Sequence, residues 1–187
     1  MRRSFPYLLA LALTTVPQPS FALAMRGSGP DGGVDAQSVI DLSGHWVRND
    51  DRSDAGYWMR EYPGMMLDIA QQGDTLLVRQ ALGRVRDGVA QPGSGDEHHE
   101  YTLIADGQAR EVQGPPPVRR TVTAEWTGDE LRVASIWHLG AGDDATDAPV
   151  TETWRLIDGV ATLEIRRETR MPGRPVGHDT IVFDRQR

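Results

Sequence analysis

Two arginines stand in the apolar phase of stretches that otherwise read as alternating strand. Arg120 is in phase with Val122, Ala124 and Trp126, and Arg167 with Ala161, Leu163 and Ile165. Successive side chains of a strand point to opposite faces, so a face that turns inward carries its guanidinium with it. A buried guanidinium requires an anionic partner. That partner is either the acid group of a ligand or one of Glu100, Glu125 and Glu152, unless both arginines sit at strand ends and reach water. Tryptophans are unusually frequent beside them: the chain has 5 Trp against 3 Phe. Rigid aromatic walls with one polar edge suit an enclosed ligand site, and they suit a filled core equally well. The site expectation is an anionic amphiphile with its head at Arg120 or Arg167 and its tail against Trp126, Trp137 and Trp154. Tyr57, Trp58 and Tyr62, in a long connection from Asn49 to Met66, are expected to cap or line the same site.

Other chemistries find less support. All 20 basic residues are arginine and there is no cysteine, which excludes lysine Schiff bases, thiolate nucleophiles, zinc ribbons, iron–sulfur centres and disulfides. No Gly-x-Ser-x-Gly elbow accompanies a histidine, and no catalytic residue is assigned. Asp96-Glu97-His98-His99-Glu100 gathers potential metal ligands, but neighbours on an extended chain diverge and the His-Glu-x-x-His spacing is missing, so a solvated loop is expected and no metal. His45 and His138 fall on the face opposite their neighbours Trp46 and Trp137 and read as surface histidines, while His178 lies at a strand start. No cofactor is expected. The net charge of -7 argues against an unaided grip on nucleic acid.

The elements that must position these residues are strands. Leu67 and Ile69 precede Gln72-Gly73-Asp74 and Leu76-Leu77-Val78 follow it. Tyr101 and Leu103 precede Asp106-Gly107, and Trp126 precedes Thr127-Gly128-Asp129 with Leu131, Val133, Ser135 and Trp137 after it. Trp154 and Leu156 precede Asp158-Gly159, and Ile181 and Phe183 close the chain. Period-2 alternation broken by turn residues predicts eight to ten antiparallel strands, all-β, in an up-and-down meander. Closing it into a barrel removes exposed edges, and a two-sheet sandwich is the alternative.

Residues 1–24 run from Arg2-Arg3 through an apolar stretch to Ala22-Leu23-Ala24, the order of a cleaved signal peptide. The expectation is therefore a periplasmic or secreted protein without a stable membrane anchor, exported by the general or the twin-arginine route. Glycine-rich residues 25–40 read as a disordered lead-in and residues 41–187 as the barrel domain.

Asp41-Leu42-Ser43-Gly44-His45-Trp46-Val47 resembles the Gly-x-Trp opening of the calycins, the lipocalins and their relatives, and the hairpins Ala124 to Leu131 and Thr151 to Gly159 resemble exported bacterial lipocalin-like domains. The resemblance implies a lipocalin-like barrel in which Trp46 packs against an arginine of the last strand, here Arg185, both structural. The function expected from residues and resemblance together is binding of a small, largely apolar ligand. Two rivals are a protein-binding module, such as an envelope protease inhibitor or assembly factor with a protein partner, and an isomerase or cyclase drawing on Asp68, Glu125, Tyr62 or Tyr101.

Overall fold

A computed structural model describes residues 40–56, 62–86, 89–93, 98–113, 119–140 and 145–186, all within the unit Gln37–Arg187. Twelve strands follow in chain order: β1 Gly44–Arg48, β2 Met66–Gln72, β3 Thr75–Ala81, β4 Arg84–Arg86, β5 Val89–Gln91, β6 His98–Ile104, β7 Arg110–Gln113, β8 Arg119–Thr127, β9 Glu130–Leu139, β10 Thr146–Ile157, β11 Thr162–Thr169 and β12 Gly177–Arg185. Among the described residues there is no helix. Ten strands form one antiparallel sheet in the order β6-β3-β2-β1-β12-β11-β10-β9-β8-β7, and β4 and β5 form a separate ribbon inserted between β3 and β6. The all-β up-and-down meander read from the sequence is thus the architecture found, as a nearly closed barrel. The signal-peptide and lead-in assignments for residues 1–39 lie outside the described residues.

Alternation decides which side chains go inside. Leu76 and Val78 of β3, Val122 and Ala124 of β8, Leu131 and Val133 of β9, Leu163 and Ile165 of β11, and Ile181 and Phe183 of β12 are all buried. Trp46 is fully buried at one end of this interior. Its backbone pairs in register with Arg185, whose guanidinium carbon lies 4.5 Å from the centre of the Trp46 ring. The indole N–H donates to the Leu42 carbonyl at 3.0 Å, so the polar edge of the ring is satisfied where its faces are not wet. The pair expected between the first and last strands is present, and it joins the two ends of the meander.

Closure at the other edges of the sheet is looser. Asp106-Gly107 looks in sequence like the turn of a tight hairpin, but the strands on either side of it do not pair with each other. β6 pairs with β3, β7 pairs with β8, and Asp106 makes an isolated bridge to Glu125 of β8. The turn is pinned in place instead. The Gly107 amide donates to the Ala124 carbonyl at 2.8 Å, and Arg110 grips both oxygens of Asp106 at 2.6 Å. That grip holds the Asp106 carboxyl down at about 2. A seam therefore runs between the edge strands β6 and β7, and beside it β6 approaches β8.

The long connection after β1 divides into two parts. Asn49 donates to the Val182 carbonyl, Asp54 bridges Thr180, and Gly56 donates to the Asp179 carboxylate, so residues 49–56 run along the wall beside β12. The returning part reaches the mouth of the barrel. There Arg48, whose side chain is 4% exposed, pairs with Asp50 at 2.9 Å and donates to the Tyr62 carbonyl at 3.1 Å. Burial lowers the Arg48 pKa, against the pull of Asp50 and Asp179. Gly83 packs so closely on this segment that a Cβ there would lie 1.9 Å from the Pro63 carbonyl oxygen.

Because Trp46 fills the closed end with no space around it, Trp46→Ala is expected to reduce unfolding free energy by about 3–5 kcal/mol in urea titrations. A loss below about 1 kcal/mol would mean that this end is not the packed core described.

Candidate functional site

The barrel is filled at the Trp46 end and hollow toward the other. The hollow part is a cavity of about 240 Å³. Its apolar wall comes from Met65 and Leu67 at the start of β2, Leu82 after β3, Trp137 of β9, Trp154 of β10, Ile165 of β11 and Ile181 of β12. Its polar wall is Gln80, His99, Tyr101, Arg120, Glu152 and Arg167, with Tyr62 at the rim. Each of the strand residues occupies the inward phase of its strand, which is why five strands, β3, β6, β8, β10 and β11, can deliver polar groups into one volume.

Register brings the charged groups together. Glu152 of β10 pairs directly with Arg167 of β11, and Arg120 of β8 pairs with Trp137 of β9. Arg167 donates through Nε and a terminal nitrogen to one Glu152 oxygen, at 2.7 and 2.6 Å, and the other oxygen accepts the Trp154 indole N–H at 3.0 Å. The two side chains are 16% and 13% exposed. Burial by itself would lower the Arg167 pKa, but Glu152 above all, with Asp179 and Tyr101, leaves it raised, so the group stays charged.

Arg120 has no such carboxylate among the described residues. Its guanidinium lies 4.8 Å from the centre of the Tyr101 ring, reaching across the seam from β8 to β6. A cation over an aromatic face contributes about 0.5–2 kcal/mol, and it leaves the N–H groups of the guanidinium to find partners in its plane. Among the described residues the buried Nε of Arg120 has no hydrogen-bond partner. A smaller void of about 20 Å³ adjoins this position, lined by Tyr101, Arg120, Glu152, Trp137 and Trp154 together with Leu103, Val122, Val133 and Ser135.

Tyr101 is shaped by the same surroundings. Desolvation, followed by the Glu152 charge, pushes its pKa up to about 12, against the opposing pull of Arg120 and Arg167. It is therefore a neutral hydroxyl at physiological pH. The two indoles in the wall carry satisfied N–H groups, Trp154 on Glu152 and Trp137 on the Ser135 hydroxyl at 3.1 Å, which leaves their faces as apolar surface.

Of the residues singled out in the sequence, Tyr62, Arg120, Trp137, Trp154 and Arg167 meet in this cavity. Trp126 does not line it. Trp126 pairs with Leu131 next to the β8–β9 turn and packs on the filled core. Tyr57 and Trp58 lie outside the described residues, as do Asp96 and Glu97. Alternation on β6 separates the rest of that acidic, histidine-rich run: His99 lines the cavity, while His98 and Glu100 point outward with Arg79 at 2.6 Å from Glu100. His45 is exposed and pairs with Asp68, and His138 pairs with Asp147 at 2.8 Å.

Glu152, one of three carboxylates the sequence offers as partner for a buried arginine, is the one that meets Arg167, and Tyr101, offered there only as a proton carrier, lines the cavity with it. Both carried a usable signal. Glu152 interrupts the inward phase Val150, Trp154, Leu156 as Arg167 interrupts its own, and Tyr101 shares a phase with Leu103.

No protein-family model matches the sequence, and no curated protein matches it. Solved structures do. The REP1-NXSQ fatty acid transporter is similar over 78% of this chain and 96% of its own, at 11% identity with a TM-score of 0.53. Secretory abundant heat soluble protein 4 from Ramazzottius varieornatus is similar over 78% of this chain and 95% of its own, at 11% identity with a TM-score of 0.52. At this identity the likeness is one of fold, a fold close to the barrel anticipated from Gly44-His45-Trp46.

The displaced ionisation of Tyr101 has a measurable consequence. A pKa raised above its unfolded value of 10.0 stabilises the fold below pH 10, and that contribution disappears as pH climbs toward about 12. Unfolding free energy should fall more steeply between pH 9.5 and pH 11.5 in the wild type than in Tyr101→Phe. Parallel curves would show that the phenol is not desolvated.

Proposed function

We propose that this barrel binds a small anionic amphiphile, its acid group on Arg120 and its chain between Trp137, Trp154 and the aliphatic wall. The observation that carries the reading is the buried Arg120 Nε, which has no hydrogen-bond partner among the described residues, while its neighbour Arg167 is matched by Glu152. A charged group left so inside an apolar volume is costly, and an incoming anionic oxygen removes that cost.

Size narrows the ligand. At about 240 Å³ the cavity is smaller than the ~300–1,000 Å³ usual for drug-sized ligands, which favours short or medium chains over long ones. The fold shared with a protein named as a fatty acid transporter supports a carboxylate as the head. The leader-like order of residues 1–24 supports action outside the cytoplasm, in the periplasm or after secretion.

Calorimetric titration with octanoate tests this. Arg120→Met keeps the aliphatic stem and removes the charge, and it should weaken binding about 10- to 100-fold, the range expected for a charge-assisted hydrogen bond of about 1.5–3 kcal/mol. Arg132→Met, on the exposed face of β9, should leave binding unchanged. Equal affinity in wild type and Arg120→Met would remove Arg120 as the anchor.

A further inference from the structure

The charges around the cavity do not simply add up to a basic pocket. Besides His99, the described lining residues with guanidinium or carboxylate side chains are Arg120, Arg167 and Glu152. Glu152 has both oxygens engaged, one by Arg167 and the other by Trp154, and it cannot rotate away without abandoning an indole N–H and a guanidinium together. The β10–β11 register holds the pair face to face. Among the described lining residues, what remains uncompensated is the single positive charge of Arg120.

The other described charged groups near the mouth add no further positive charge to the wall. Arg48 is held by Asp50 at 2.9 Å, and Asp179 of β12, which faces Arg167 across the β11–β12 ladder, accepts the Gly56 amide. Tyr101 of β6 is neutral. Asp179 and Glu152 both add negative potential where a second ligand charge would have to sit.

We propose that Glu152 makes this cavity selective for a singly charged head group, so that a dianionic head of the same shape is rejected. The proposal rests on the reading of the cavity as an anionic-amphiphile site and adds to it which anions qualify. A monoanion on Arg120 leaves the interior electrically matched. A dianion leaves one negative charge buried without a partner and beside a carboxylate, and displacing Glu152 from Arg167 to accommodate it only moves the unpaired charge onto Glu152. Glu152 is thus a specificity-determining residue through repulsion, in the way that recognition sites exclude wrong partners by unfavourable contacts.

Octyl sulfate and octyl phosphate separate the charge from everything else, because both have an eight-carbon chain and a tetrahedral oxygen head. At pH 8.5 the first is a monoanion and the second is close to a dianion, the second phosphate ionisation lying near ~6. Calorimetry on the full barrel should find octyl sulfate bound about 10-fold or more tightly than octyl phosphate. Glu152→Gln keeps the shape and a partner for Trp154 but releases the Arg167 charge, and it should narrow that ratio about 10-fold. Adding Arg167→Gln returns the wall to one net positive charge and should restore the sulfate preference, with circular dichroism confirming that each variant is folded.

A pH series on the wild type needs no variant. The sulfate-to-phosphate ratio should shrink from pH 8.5 to pH 5.5 as the phosphate takes up its proton, and the sulfate series reads any contribution from His99. Wild type that binds octanoate but shows equal affinity for the two octyl esters at pH 8.5, or a folded Glu152→Gln with an unchanged ratio, overturns the selectivity alone. Wild type that binds neither ester nor octanoate overturns the ligand-binding reading and the selectivity with it.

Discussion

Two guanidinium groups face into an apolar barrel that offers one of them a carboxylate. That mismatch constrains everything else in the hollow half of the molecule. Arg167 remains charged inside because Glu152 stands directly across the β10–β11 ladder, and Glu152 remains in place because Trp154 holds its second oxygen. Breaking such a pair by removing one partner is far more costly than the pair is stabilising, since it strands a buried charge. Arg120 is held differently, by the face of Tyr101 across the seam, an arrangement that supports the cation without using up its hydrogen-bond donors. One contact thus spans the gap between β6 and β8 and leaves an anion-seeking edge turned into the cavity.

The two ends of the barrel divide the work between stability and binding. At the closed end Trp46, Phe183, Leu42 and Leu131 pack without exposed surface, and the Trp46–Arg185 contact joins the first strand to the last. A protein without cysteine has no crosslinks to rely on, so its stability is carried by this packing and by the sheet ladders. The hollow end forgoes part of that packing, which only a well-filled opposite end makes tolerable. Its mouth is assembled from the returning part of the long connection, fixed by Arg48 on the Tyr62 carbonyl and by the close approach of Gly83 to Pro63.

Much of this was legible in the residues because a strand has a period of two. Phase put Arg120 and Arg167 on the inward face while leaving open whether they reach water at strand ends, and it put His45 and His138 outside. Phase does not report height along the barrel, which is why Trp126, in the same phase as Arg120, belongs to the filled core near the β8–β9 turn. Nor does it report partners across strands: Glu152 and Tyr101 carried the right phase, but only the register of β10 on β11 and the approach of β6 to β8 show what they meet. Asp106-Gly107 illustrates the limit of local turn chemistry. The dipeptide turns as its residues dictate, yet its partners lie in β8, and the flanking strands join different neighbours.

The central claim is that the interior is a binding site with Arg120 as its anchor. A crystal structure of the barrel grown with octanoate tests it most directly. The account predicts a carboxylate within hydrogen-bond distance of the Arg120 guanidinium, the Glu152–Arg167 pair intact, and the chain lying against Trp137 and Trp154. An octanoate bound only on the outer surface, with side chains collapsed into the cavity around Arg120, would contradict it.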